Sequence, residues 1–299
     1  MRWEDREQSS NVEDRRNSSS LSGGGRRGMP SMGTIMFLWP FIQRLIKTKF
    51  GWAIIGIGAV AYFSGFNPLS SMMGGGGSSA PVDKARDDKE AAFISTVLHD
   101  TEVVWSDIFK KHGATYSKPK MVLYRGSTTS GCGHASAQMG PFYCPADKKV
   151  YVDLSFFDEL AEKHNASGDF AQAYVLAHEI GHHIQNMEGT LRKVQQMKQQ
   201  ARGDAGANKL QVRVELQADC YAGVWAHHAH KRFNILEQGD IEEALNAASS
   251  IGDDTLQKEA QGYVVPDAFT HGSSEQRVTW FRKGITSGKL SACDTGLGN

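Results

Sequence analysis

The sequence predicts an α+β protein, a small sheet followed by packed helices, with one apolar segment ahead of it able to cross a bilayer. Three observations carry this. Residues 119–157 are rich in β-branched and aromatic side chains, broken by Gly, Pro and Asp. From Asp169 almost to the C-terminus, apolar residues recur at helical spacing. Residues 50–66, FGWAIIGIGAVAYFSGF, carry no charge at all.

With 299 residues, 40% of them apolar and 22% charged, the chain can bury an ordinary core. Lys+Arg and Asp+Glu both number 33. No basic stripe with interleaved aromatics is visible, so nothing suggests nucleic acid as a partner.

Residues 1–33 are polar, include SSSLSGGGRRGMPSMG, and are expected to form a disordered cytoplasmic tail. Residues 34–49 form a juxtamembrane segment whose TIMFLWPFIQRLI stretch is amphipathic enough to lie on a membrane surface. The apolar segment 50–66, read as helix, spans roughly 25 Å, the lower edge of what a bilayer core requires. Arg44, Lys47 and Lys49 precede it, and no charge follows until Asp83. That asymmetry predicts a single-pass inner-membrane anchor with a cytoplasmic N-terminus and the remainder extracytoplasmic. A buried core helix is the alternative; a cleaved signal peptide would need a leader longer than about 45 residues. Residues 67–86 contain MMGGGGSSAP and read as a flexible tether, leaving 87–299 as the folded domain.

Within that domain, Ala92, Phe93, Val97, Val104, Ile108 and Phe109 predict a helix over 89–111, closed by Gly113. KMVLYRG and KKVYVDLSFF predict strands and a hairpin, with 149–154 a candidate edge for strand addition by a peptide. Helices follow at 169–187, 190–202, 208–232, 239–261 and 273–284, the last with Ser273 placed to cap it.

The chemistry concentrates in YVLAHEIGHHIQN, residues 174–186. His178 and His182 are four apart, so on a helix they share a face and can clamp one ion. Glu179, about 100° further round, can take a proton from a metal-activated water without becoming a ligand. Gly181 permits close approach of another backbone or of a substrate. A catalytic zinc needs a third protein ligand and an open fourth position. RVELQADCYAGVW, residues 213–225, offers both carboxylates required: Glu215 as the ligand and Asp219, one turn on, to accept a hydrogen bond from a ligand imidazole. Ala218, Ala222 and Gly223 suit that helix to close packing.

HEIGHHIQ followed by ELQADCYAGVW, with MRWEDREQSSNVEDRR and GCGHASAQMGPFYCPADKKVYVDLSFF, resembles the putative neutral zinc metallopeptidase family, the YpfJ-like group. HExxH with ExxxD resembles the gluzincin peptidases more broadly. The resemblance implies a zincin-like fold with a mixed sheet over an active-site helix. It implies Zn2+ on His178, His182 and Glu215, Glu179 as general base and Asp219 behind the ligands. FTHGSSEQRVTWF, residues 269–281, resembles a His-containing element that follows the third ligand in some membrane-associated gluzincins. On that basis His271 stabilises the oxyanion and Arg277 braces the site. The activity implied is hydrolysis of peptide or protein substrates.

Four cysteines, Cys132, Cys144, Cys220 and Cys293, permit three pairings in an oxidising compartment. The short Gly-containing loop between Cys132 and Cys144 favours that pair, which leaves Cys220 with Cys293. His183 points away from the ligand face and reads as packing. His227, His228 and His230 suit a helix C-terminus, with a second metal site as the sharper alternative. The competing functional reading is a membrane-tethered scaffold in which zinc is only structural; it requires a fourth protein ligand, His183 or His271.

Overall fold

Strand β1 (Val12–Asp14) pairs in parallel with β2 (Lys120–Tyr124) in a computed structural model that describes residues 1–17, 84–162, 166 and 168–297. A short hairpin, β3 (Ser127–Ser130) and β4 (Gly133–Ser136), follows, then β5 (Phe142–Cys144) and β6 (Lys149–Asp153). The sheet order is β1-β2-β6-β5, with β5 antiparallel to β6 and the other neighbours parallel. It is a mixed sheet on a mainly helical body.

KMVLYRG and KKVYVDLSFF form β2 and β6, which run parallel with Met121 opposite Val150; the hairpins of this region are β3–β4 and β5–β6. β6 is interior, so it is not the edge expected; among the described residues the sheet's edges are β1 and β5. The distinction was invisible in the sequence because both strands bury Val, Leu and Tyr on both faces: Met121 and Val150 join the main core, while Val122, Tyr124 and Tyr151 pack beneath the hairpin with Ala135.

The expected disordered tail is corrected over residues 1–17. β1 completes the sheet, Arg16 bonds the Asp87 carboxylate at 2.7 Å, and Ser9 and Asn11 each donate to Glu102 at 2.7 Å. The α-amino group of Met1 lies 2.8 Å from Asp169 and 3.3 Å from Asp240. These groups are polar, which is why composition alone reads as disorder; partners distant in sequence neutralise them. One consequence concerns topology. Residues 12–14 and 120–153 share a sheet, so both lie on the same side of any bilayer, and a cytoplasmic N-terminus facing an extracytoplasmic domain is incompatible with that pairing. The predicted span 50–66 and the juxtamembrane segment lie outside the described residues. Among the described residues no helix is long and apolar enough to cross a membrane.

Helix α1 (Lys84–Lys111) and the short α2 (Ser155–Glu162) flank the sheet. The body consists of α3 (Asp169–Glu188), α4 (Thr190–Gln199), α5 (Gly203–Phe233), α6 (Asp240–Ser250), α7 (Asp253–Gln261) and α8 (Ser274–Ser287). α3 stops at Gly189, whose φ of 83° is the left-handed C-cap conformation that glycine adopts without a Cβ clash. The predicted helix 239–261 is broken in two at Gly252, whose backbone is extended (φ −71°, ψ 145°) and packs so close to α8 that a Cβ there would stand 2.5 Å from the Ser274 backbone nitrogen. Ser273 caps α8 in a reciprocal box: its Oγ accepts from Gln276 N–H and its own N–H donates to Gln276 Oε1.

Two glycine contacts set the site's position. A Cβ on Gly181 of α3 would lie 3.0 Å from the Ala218 Cα of α5. Where α5 crosses α8 the approach is closer still: a Cβ on Gly223 would stand 2.2 Å from the Phe281 carbonyl oxygen, and one on Gly284 2.1 Å from that of Cys220. Small residues therefore bring three helices into backbone contact, around a core holding Trp105, Tyr174, Tyr221, Trp225 and Phe281. Disulfides join Cys132 to Cys144 and Cys220 to Cys293.

Candidate metal centre

The α3–α5 contact turns one face of each helix toward the other. His178 and His182 project from α3, Glu215 and Asp219 from α5. His178, His182 and Glu215 offer ligand atoms that all lie within 4.8 Å of one another. Glu215 Oε2 is 3.2 Å from His178 Nε2 and 3.3 Å from His182 Nε2.

The outer hydrogen bonds fix which ring nitrogen faces inward. Asp219 Oδ1 is 2.7 Å from His178 Nδ1, and a carboxylate can only accept, so Nδ1 carries the proton. Gln185 donates its Nε2 to Val214 O at 2.7 Å and to Gln217 Oε1 at 3.0 Å. Its Oε1 is therefore the atom that faces His182 Nδ1, at 2.9 Å, and this ring too is protonated on Nδ1. Both Nε2 lone pairs then converge with an anionic oxygen. Three such atoms at one point need positive charge among them, supplied by ring protons or by a metal ion, and two imidazoles with a carboxylate are donors suited to zinc. The residues fit the ion.

The electrostatics agree. Burial opposes a charged ring at His178, but Asp219 and Glu215 outweigh it and raise its pKa to about 10; Glu215 raises His182 against the same opposition. Burial opposes an ionised Glu215, yet the two rings hold its carboxyl well below the usual range. The pocket draws positive charge to itself. Glu179 is pushed up by burial, with His182 and His178 opposing, and the backbone N–H of Tyr143 on β5 also favours its charged form.

Behind His178 and Glu215, Arg277 grips Asp219 with Nε on Oδ2 and Nη2 on Oδ1, each at 3.0 Å. The Tyr174 hydroxyl donates to Asp219 at 2.6 Å. Burial opposes the charge of Asp219 but Arg277 and His178 depress its pKa to about 2. Glu215 Oε1 accepts from Gln211 Nε2, whose own Oε1 accepts from Lys198 of α4.

Tyr174, Gln185 and Gln211 were not singled out by sequence reasoning. Gln185 is three residues after His182 and Gln211 four before Glu215, so the spacing that placed the ligands could have found both. Tyr174 reads as an apolar helix residue, and its hydroxyl partner is 45 positions away. Asp253 was also missed. It accepts the backbone N–H groups of Thr270, His271 and Gly272 and lies 3.2 Å from His271 Nδ1.

These groups border one open cleft of about 870 Å³, lined by His178, Glu179, His182, Glu215, His271 and Arg277 on its polar side, and by Met139, Pro141, Phe142 and Phe156 on another. His183 is elsewhere engaged, with Nε2 on Ser117 O at 2.6 Å and Nδ1 on Tyr143 OH at 3.1 Å. His227 and His228 bond the carbonyls of Ile285 and Gly288, so they tie α5 to the end of α8 and do not form a second metal group. Another cluster, Asp169, Asp240 and Glu243, receives the Met1 ammonium.

A family model described as "Putative neutral zinc metallopeptidase" matches residues 1–296. The protein named YpfJ of Escherichia coli (strain K12), described as uncharacterized, is 48% identical over 298 residues, 99% of this chain and 98% of its own. An uncharacterized protein of Mycobacterium tuberculosis (H37Rv) is 42% identical over 207 residues, 66% of this chain and 67% of its own. No solved structure matches the chain.

Proposed function

The chain belongs to the putative neutral zinc metallopeptidase family, and from that premise we propose that it is a zinc-dependent peptidase with Glu179 as general base. The observation that carries this is the convergence of His178 Nε2, His182 Nε2 and Glu215 Oε2, with Glu179 beside them on the wall of an open cleft. Zinc held there supplies a Lewis acid that lowers the pKa of a water molecule toward neutrality.

The chain's own residues account for the rest. A peptide lies along β5, the sheet edge whose Phe142 and Tyr143 line the cleft, with Met139, Phe142 and Phe156 against its side chains. Glu179 takes the proton of the attacking water on its carboxylate and returns it to the leaving amine; its raised pKa suits both halves of that exchange. His271, anchored through Nδ1 to Asp253, presents Nε2 to the developing oxyanion. Asp219 and Gln185 keep the two imidazoles in the tautomer that ligation requires, and Arg277 holds Asp219.

The scaffold alternative needs a closed coordination sphere. Among the described residues no fourth His, Cys, Asp or Glu joins His178, His182 and Glu215, which favours the hydrolytic reading. Two disulfides support an extracytoplasmic location for residues 1–17 and 84–297 together. Attachment to the bilayer through 50–66 is compatible with this provided the chain returns to the side it left. Glu179→Gln tests the mechanism: zinc content stays at the parent level while peptide hydrolysis falls about 10²–10⁴-fold. A variant that cleaves as fast as the parent would sink it.

A further inference from the structure

Helix α4 lies along the same cleft and contributes Arg192, Gln195 and Lys198 to its wall. Arg192 is exposed and makes no hydrogen bond or ion pair among the described residues. Lys198 is half-buried, and its hydrogen-bond partner is the neutral amide of Gln211. Burial lowers the Lys198 pKa, with the Glu215 charge opposing, so this ammonium already lacks part of its hydration. The third side-chain cation of the cleft, apart from histidine, is Arg277, which Asp219 neutralises. Of the cleft's three glutamates, Glu215 belongs to the metal-holding group, Glu179 is the proposed base, and Glu159 stands on α2, not on the α4 wall, with an interaction of its own. What is left on the α4 wall is two cations without a carboxylate partner, facing the space where a substrate must lie.

We propose that this wall is a specificity element, in which Arg192 and Lys198 receive a carboxylate of the substrate. The proposal rests on the peptidase reading of the cleft. The chemistry is a carboxylate near the bound peptide, supplied either by an Asp or Glu side chain or by the peptide's C-terminus. Arginine's planar fork suits bidentate contact with a carboxylate, and the Lys198 ammonium adds a point charge behind it. An apolar side chain fits the Met139–Phe142–Phe156 side, so the preferred substrate is amphipathic.

The test uses binding, so that it survives a failure of hydrolysis. The full-length, zinc-loaded Glu179→Gln protein is titrated by fluorescence anisotropy with labelled ten-residue peptides. The peptides are identical except for Glu or Gln at one scanned position, each with a free or amidated C-terminus. The expected result is three- to tenfold tighter binding of the carboxylate-bearing member at low salt, shrinking as salt rises. The Glu/Gln pair and the free/amidated pair separate the two sources. Arg192→Glu reverses the preference, while zinc content is unchanged because Arg192 touches none of the metal-holding residues. Lys198→Gln, which keeps an amide donor for Gln211, removes about half of it. Carboxylate and amide peptides binding within twofold of one another, or an Arg192→Glu ratio equal to the parent's, overturns the proposal. With the active parent enzyme, the discrimination appears in KM with kcat little changed. Tight, charge-selective binding with no hydrolysis would instead overturn the peptidase reading and leave this one standing.

Discussion

Gly181 and Ala218 meet across the α3–α5 interface, with 3.0 Å between the Ala218 Cα and the point where a Cβ on Gly181 would stand. The contact lies between His178 and His182 on one helix and between Glu215 and Asp219 on the other. Gly181→Ala adds helix propensity worth ~1 kcal/mol but forces the helices apart, at a cost of about 1–3 kcal/mol. We expect a lower Tm in the zinc-free protein and weaker zinc binding in competition with a chelator. Parent-like zinc affinity would show that the helix spacing does not set the ligand geometry.

Asp219 is fully buried between the His178 imidazole and the Arg277 guanidinium. Asp219→Asn preserves its shape and leaves Arg277 as an uncompensated buried charge. Such a loss costs about 3–5 kcal/mol, and removing an outer partner of a metal ligand weakens binding about 10–100-fold. Denaturant unfolding and chelator competition measure the two effects. An unchanged zinc affinity would remove Asp219 from the site.

The Cys220–Cys293 bridge spans 73 residues and holds a segment whose Cys293 carbonyl accepts from Gln217, the partner of Gln185 behind His182. Replacing both cysteines by serine should cost about 2–5 kcal/mol in stability and weaken zinc as well. Stability lost with zinc affinity intact would confine the bridge to a purely structural role.

Deleting residues 1–17 removes β1, strands the Asp100 carboxylate, which is 0% exposed and takes Arg6 as partner, and takes Ser9 and Asn11 from Glu102, which keeps only Lys118. The truncated protein should be insoluble or destabilised by at least about 3 kcal/mol. In cells, cysteines placed at Glu4 and at Lys289 should react with an impermeant maleimide from the same side of the membrane. Labelling from opposite sides would contradict the β1–β2 pairing.

Much of the site was legible because its logic is local. His178, Glu179 and His182 lie within one and a half helical turns, and Glu215 and Asp219 within another, so 3.6-residue periodicity fixes the face each presents. What was not legible depends on partners brought together by the fold. Residues 1–17 look like a polar tail until Asp87, Asp100 and Glu102, some 70 to 95 positions on, supply their counter-charges and acceptors. β2 and β6 read as strands from their own residues, but nothing local says that they are parallel neighbours. The apolar pattern over 239–261 runs on past Gly252, and the local marks of a break, Gly252 with Asp253 and Asp254 after it, are weak until Gly252 packs on the Ser274 backbone.

X-ray absorption at the zinc edge of the purified, zinc-loaded protein reads the coordination sphere itself. One zinc per chain is expected, bound by two imidazole nitrogens and one carboxylate, with further light-atom scattering from exchangeable solvent at about 2.0–2.2 Å and no sulfur. That solvent contribution should persist in Glu179→Gln, and one imidazole should disappear in His182→Ala. A fourth protein side chain on the zinc, or a spectrum unaltered by His182→Ala, would contradict this coordination.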